Sequence, residues 1–206
     1  MTASDTPSPV VFLVDDQPQV LKALARVLEA NGFAARTFDS AASFLAGSHH
    51  AQPGCLVLDL AMPGMDGMGL QQALRARESL LPLIFLTGHG SMAAGVAAMK
   101  LGACDFLSKP VDVEQLLAAV AQALARNEAA RAQLVRREEA CRLIDLLTPR
   151  EREVMALIVA GKLNKQAAAQ LGTVEKTVKV HRARIMQKTG ADSFATLVRL
   201  WDAAMA

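Results

Sequence analysis

Five side chains set the chemical question. Asp15 and Asp16 follow the apolar run "VVFLV", Asp59 follows "CLVL", Thr87 follows "PLIFL", and Lys109 stands just past "ACDFL". Two adjacent acids and a third from a distant run make three like charges, which repel unless a cation joins them. Carboxylate oxygens with room for water suit Mg²⁺, which commonly bridges carboxylate to phosphate. Lys109 supplies a fixed positive charge and Thr87 a hydroxyl donor. Metal, ammonium and hydroxyl around one carboxylate are what a phosphoryl group entering that carboxylate requires. Each residue also has a plainer role. Asp15 or Asp16 could cap a helix starting near Pro18, Asp59 could make an Asx-turn, Thr87 a helix cap, and Lys109 a solvated charge. Their coincidence at strand ends weighs against those separate roles.

The elements that must position them alternate. Short apolar runs predict strands at Val10–Val14, Phe33–Phe38, Cys55–Leu58, Pro82–Leu86 and Ala103–Leu107. Amphipathic stretches predict helices around 18–30, 40–46, 67–77, 91–100 and 112–126. Such alternation predicts an α/β domain, a doubly wound five-stranded parallel sheet with helices on both faces. Ligands in these folds bind outside the carboxyl ends of the strands. All five polar residues fall there. Met62, Met65, Met68 and Met92 read as packing residues, and His49, His50 and His89 fit no nucleophile or metal pattern.

The first eight residues read as a disordered lead, 9–126 as the α/β domain and 127–147 as an extended helix or helical linker without Gly or Pro. Leu117, Leu124, Arg131 and Glu138 share one heptad position there, so a coiled-coil seam fades as it proceeds. Residues 148–206 predict a small all-α domain of four helices. Thr148-Pro149-Arg150-Glu151 has capping-box form with Pro at the first helical position. Gly161 and Gly172 are expected helix stops, Thr173 a cap, and a last helix is expected from about Ser193 to Ala204. Charge divides accordingly: eight Lys and Arg stand against eleven Asp and Glu in 1–126, and ten against five in 146–206. A basic final third suits a nucleic-acid partner. No apolar run is long enough for a membrane span. Three cysteines without metal-ligand spacing, and no visible secretory signal, suggest reduced thiols in the cytoplasm.

The blocks "VFLVDDQPQV", "LVLDLAMPGMDG", "LPLIFLTGHG" and "AMKLGACDFLSKP" together resemble the successive motifs of a response-regulator receiver domain. The resemblance implies a flavodoxin-like fold in which Asp59 accepts phosphate from a sensor histidine kinase. It implies Mg²⁺ bound by Asp16, Asp59 and the Ala61 carbonyl, with Asp15 acting largely through water. It implies phosphoryl oxygens held by Thr87 and Lys109, a cis Lys109-Pro110 peptide, and Phe106 as the switch residue that changes rotamer with Thr87. Phe106 has no hydroxyl, so any such switch works without its hydrogen bond.

In the basic end, the third helix can be drawn on a wheel at ~100° per residue. With Lys179 at zero, Val174, Val178, His181 and Ile185 fall at roughly 200–260°, an inward apolar face. Lys176, Val180, Ala183 and Gln187 fall at roughly 40–100°, and Arg182 and Arg184 flank that outward face. A recognition helix in a DNA major groove wants this arrangement, while a solvated basic helix face satisfies it equally. The preceding "NKQAAAQL" and its Gly-containing turn give helix-turn-helix spacing.

The stretch "LTPREREVMALIVAGKLNKQAAAQLGTVEKTVKVHRARIMQKTG" resembles the LuxR-type helix-turn-helix of the FixJ/NarL branch of response regulators. That implies Lys179 and Val180 toward bases, and Lys176, Thr177, Arg182 and Arg184 near the backbone. It also implies a last helix, with Leu197, Leu200 and Trp201, that dimerises on DNA; ordinary core packing explains the same residues. The resulting expectation is a two-component transcriptional regulator. It would be no enzyme beyond its own phosphorylation and dephosphorylation. Phosphate on Asp59 would release the protein or make it a homodimer, through the face near residues 91–112. Two C-terminal domains would then bind a two-fold site on double-stranded DNA and meet RNA polymerase. A phosphohydrolase also uses acid, Mg²⁺ and Lys, but it lacks here a second catalytic acid and leaves the basic end unexplained. A constitutive DNA-binding protein with a purely dimerising first domain is the third reading.

Overall fold

The computed structural model describes residues 8–88 and 102–205. The expected lead, the expected helix at 91–100, His89 and Met92 lie, wholly or nearly so, outside them. The chain divides into two units, one ending at Arg131 and the other beginning at Ala132.

The first unit holds five strands, β1 (Val10–Val14), β2 (Ala34–Phe38), β3 (Gly54–Asp59), β4 (Leu83–Thr87) and β5 (Asp105–Ser108). They pair in parallel in the order β2-β1-β3-β4-β5. Helices α1 (Pro18–Ala30), α2 (Ala41–Leu45) and α3 (Gly67–Ala76) follow the first three strands, and α4 (Val113–Asp145) follows the fifth.

The alternation of strand side chains separates two cores. Val11, Leu13, Cys55, Val57, Ile84 and Leu86 face α1 and the start of α4, meeting Leu24, Leu28, Leu116 and Val120. Phe12, Val14, Leu56, Leu58 and Phe85 face the other way, meeting Phe44, Leu70 and Leu74. Full burial of each such side chain contributes about 1.5–3 kcal/mol. His49 packs its ring against Phe12, Phe38 and Phe44 in the second core.

Strand edges differ from expectation for backbone reasons. Phe33 donates its N–H to Leu28 and so closes the end of α1 before β2 begins. Pro82 has no N–H to give, and β4 starts one residue later; its carbonyl instead accepts from Leu56. At β5 the ladder opens with Ile84 opposite Asp105, not at Ala103. Met62 is buried and Met68 packs on the second core, but Met65 is 40% exposed at the loop after β3, which corrects its reading as a packing residue.

Helix α4 extends past the expected boundary. Asn127, 2% exposed, accepts the Gly54 N–H at 3.0 Å and donates to the Leu80 carbonyl at 2.7 Å, so it belongs to the first unit's packing. Leu117 and Leu124 pack on the first core and are not free for a coiled-coil seam.

The second unit holds the end of α4 with α5 (Pro149–Val159), α6 (Asn164–Gln170), α7 (Glu175–Thr189) and α8 (Phe194–Met205). Their core is built from Ile144, Leu147, Val154, Met155, Ile158, Ala167, Ala168, Val178, Ile185 and Leu197. Leu200 and Trp201 pack against it. The capping box forms: Thr148 Oγ1 accepts from Glu151 N–H at 3.3 Å, and Glu151 Oε2 accepts from Thr148 N–H at 2.9 Å. Gly161 and Gly172 follow the ends of α5 and α6 with φ of 80° and 62°.

Thr173 does not cap α7. Its N–H closes the turn after α6 onto Ala168, and the N-cap is Val174, which has no acceptor to offer. Val174 is also not inward-facing: its backbone is extended, so the helical wheel does not apply to it, and it is 65% exposed.

Candidate functional site

The sheet order reverses between β1 and β3, the two strands from which the chain departs in opposite directions. That switch point opens a crevice at their carboxyl ends. Asp15 and Asp16 leave β1 there, and Asp59 is the last residue of β3. The acids offer oxygens all within 4.8 Å of one another. Asp15 and Asp59 are buried, while Asp16 is exposed. Lys109 reaches in from the end of β5. Its Nζ lies 2.6 Å from Asp15 Oδ2 and 2.8 Å from Asp59 Oδ2.

The other carboxylate oxygens hold the local backbone. Asp15 Oδ1 accepts from Gln17 N–H at 2.9 Å, and Asp59 Oδ1 from Ala61 N–H at 3.3 Å. Neither Asp15 nor Asp16 caps α1, whose N-cap is Gln17. Burial pushes the Lys109 ammonium toward losing its proton. The hydrogen bonds to Asp15 and Asp59, and their charges, outweigh that and raise it above 10.5. Its contribution to folding is therefore complete below 10.5 and is lost as pH rises through the higher folded value.

Three carboxylates against one ammonium leave two negative charges in a crevice open through Asp16. The set is all hard oxygen and fits a divalent cation. Among the described residues this is the one group of three acids, His or Cys placed to hold a metal.

Thr87 ends β4, and its hydroxyl donates to the Gly88 carbonyl at 3.0 Å. Phe106 pairs with Phe85 on the neighbouring strand, so Phe106, Phe85 and Thr87 share one face of the sheet. Lys109 N–H donates to the Thr87 carbonyl at 2.6 Å, and Lys109-Pro110 is cis. The Pro/Gly loop after β3 is closed by Gly67 N–H on the Leu60 carbonyl, and Asp66 caps α3 by accepting from Gly69 N–H at 2.7 Å.

In the second unit, α6 and α7 make a helix-turn-helix. Val178 and Ile185 are fully buried on the inner face of α7, with His181 half-buried. Lys176, Lys179, Val180, Ala183, Arg184 and Gln187 are exposed, and Thr177 is half-buried. Lys179 pairs with Glu175 at 3.1 Å within the helix. Arg182 is half-buried and donates to Asn164 Oδ1 at 2.8 Å.

The response regulator receiver domain model matches residues 11–121, and that of the bacterial regulatory proteins of the luxR family matches 145–201. The chain belongs to the response regulators. The tetrathionate response regulatory protein TtrR of Salmonella typhimurium is 41% identical over 192 residues, 93% of this chain and 91% of that protein. The transcriptional regulatory protein FixJ of Bradyrhizobium diazoefficiens is 38% identical, over 92% of this chain and 93% of its own. Among solved structures, response regulator StyR aligns over 95% of this chain and 98% of its own at 44% identity and a TM-score of 0.81. Full-length FixJ of B. japonicum aligns over 96% and 97% at 37% identity and a TM-score of 0.59.

This is therefore a two-component transcriptional response regulator, a receiver followed by a LuxR-type DNA-binding domain of the FixJ/NarL branch. Its receiver carries an acidic pocket compatible with a divalent metal. No described helix is long and apolar enough to cross a membrane.

Two contacts of the response regulator had no signal in its sequence. Asn127 sits in a charged helical stretch and reads as linker, yet it is buried. Nothing in the spacing of Lys188 marks it out, yet its Nζ lies 2.7 Å from Glu151 Oε2.

Proposed function

We propose that the response regulator accepts a phosphoryl group on Asp59 from a sensor histidine kinase, and that this controls dimerisation and sequence-specific DNA binding. The observation that carries the reading is the buried Asp59 carboxylate held by Lys109 at 2.8 Å beside Asp15 and Asp16. An Asp59 oxygen attacks the phosphorus of a phosphohistidine; the O–P bond forms, the P–N bond breaks, and the imidazole nitrogen keeps the electron pair. Asp16, Asp59 and the Ala61 carbonyl, with Asp15 through water, would hold Mg²⁺, which would supply positive charge to offset that of the phosphoryl oxygens.

Lys109 exchanges a carboxylate partner for a phosphoryl oxygen, and Thr87 gives up the Gly88 carbonyl to donate to another. Phe106, on the same face, moves with Thr87 by packing alone. The modification adds close to two negative charges. Beyond its own phosphorylation and dephosphorylation the protein catalyses nothing. In the DNA-binding domain, Lys179 and Val180 face base edges, and Lys176, Thr177 and Arg184 face phosphates. A homodimer then presents two such helices to a two-fold site on double-stranded DNA, within reach of RNA polymerase.

The test is mobility shift of a duplex that the full chain enriches from a randomised pool, with molar mass by light scattering. Acetyl phosphate and Mg²⁺ should raise the molar mass toward a dimer and tighten binding at least tenfold. Equal affinity and mass with and without phosphodonor would refute the coupling.

A further inference from the structure

We propose that Arg182 is a positioning residue of the helix-turn-helix. It fixes α7 against the start of α6 through Asn164, and it is not one of the phosphate contacts.

Arg182 lies beside the outward face of α7, where a free guanidinium would meet the DNA backbone. Its head is already engaged. Nη1 donates at 2.8 Å to Oδ1 of Asn164, the first residue of α6 and 18 positions earlier in the chain. Arg182 also lines a small cavity with Ile158, Ile185, Met186, Phe194 and Leu197, so it is half-buried against apolar neighbours. Arg184, two residues on, differs in both respects: it is exposed and has no partner among the described residues. Two arginines that flank the same face on a wheel thus have different environments.

Asn164 is a consequential place to hold. α6 has seven residues, and its N-cap Leu163 carries no side-chain acceptor. The small side chains of Ala167 and Ala168 make the buried contact of α6, and such small groups resist sliding weakly. In a helix-turn-helix the first helix crosses the DNA backbone while the second lies in the groove, so the angle between them sets whether both engage at once. A hydrogen bond from a charged donor spanning the two helices fixes that angle. The role favours the duplex whose bases α7 reads, where register matters, over DNA held through phosphates alone.

This rests on the orientation of α7 assigned above, and one set of measurements separates the two. Affinities of the full chain would be measured against salt for two probes: the duplex it enriches from a randomised pool, and a mixed-sequence duplex of equal length. The variants are Arg182→Gln, Asn164→Ala, their double, and Arg184→Gln. Arg184→Gln should lower the salt slope by about 0.9, as loss of one phosphate contact does; an unchanged slope would count against the orientation of α7.

Arg182→Gln should weaken the enriched duplex about tenfold while leaving the slope and the mixed-sequence affinity unchanged. Asn164→Ala, which removes no charge, should do the same, and the double variant should be no weaker than Arg182→Gln alone. Should Arg182→Gln not fold, Asn164→Ala carries the test. A slope reduced for Arg182→Gln as for Arg184→Gln would overturn the proposal, as would wild-type affinity in Asn164→Ala.

Discussion

Lys109 and Asp59, 50 residues apart in the chain, meet with Nζ 2.8 Å from Oδ2, and the same ammonium reaches Asp15 at 2.6 Å. One cation from β5 thus spans the two strands between which the sheet order reverses. The pocket is poised electrostatically: three acids share one lysine, which bridges two of them.

Removing that cation should expose the repulsion. In Lys109→Met, Asp15 and Asp59 remain buried side by side without their shared donor. The receiver should lose about 2 kcal/mol of stability. Mg²⁺, by supplying charge to the same oxygens, should recover more stability in the variant than it adds to wild type. Urea unfolding with and without Mg²⁺ measures both, and a variant as stable as wild type would show that the pairing carries little weight.

The backbone behind Asp59 is as tightly specified. A Cβ on Gly67 would lie 2.6 Å from the Asp59 carbonyl oxygen and 3.0 Å from Leu58 Cδ1 and Phe85 Cε1. Gly67→Ala therefore has to shift either α3 or the end of β3, at a cost of about 1–3 kcal/mol. Phosphorylation of Asp59 by acetyl phosphate should slow about tenfold, as expected when a reacting group is displaced by a fraction of an ångström. The rate of mass gain checks this, and a wild-type rate would mean that the loop absorbs the methyl group.

The DNA-binding domain should show an acid sensitivity with one main source. Glu151 is buried, and its hydrogen bond to Lys188, then that to the Thr148 N–H, lower its pKa from 4.5 to about 2. A depressed carboxylate stabilises the fold fully above 4.5, and the contribution drains away as pH falls toward 2. Thermal unfolding should show the domain's transition falling over that interval. Glu151→Gln should start lower at neutral pH and fall less steeply. Parallel pH profiles for the two proteins would contradict this.

The strands that carry the acids were legible because fully buried parallel strands spell themselves as short apolar runs, as in Val10–Val14 and Cys55–Leu58. The acids themselves were legible because Asp59 ends such a run, where burial of a charge demands a reason. The sequence could not show that Lys109 reaches two carboxylates at once, since one of them lies 94 residues away. Asn127 escaped for the same reason: its partners, Gly54 and Leu80, are remote from the helix that carries it. On α7 the wheel separated Val178 and Ile185 from Lys176 and Val180 correctly, because those residues lie within the helix. It failed at Val174, which precedes the first helical turn, and it gave Arg182 and Arg184 the same standing although, among the described residues, only Arg182 of the two has a partner.

The phosphoryl switch at Asp59 is tested most directly by intact mass after incubation with acetyl phosphate and Mg²⁺, wild type beside Asp59→Asn, with chromatographic size recorded on the same samples. One phosphoryl group on wild type, none on Asp59→Asn, and a shift of the modified protein toward dimer is the expected result. A phosphoryl group on Asp59→Asn as well, or on neither protein even with a phosphorylated histidine kinase as donor, would contradict it.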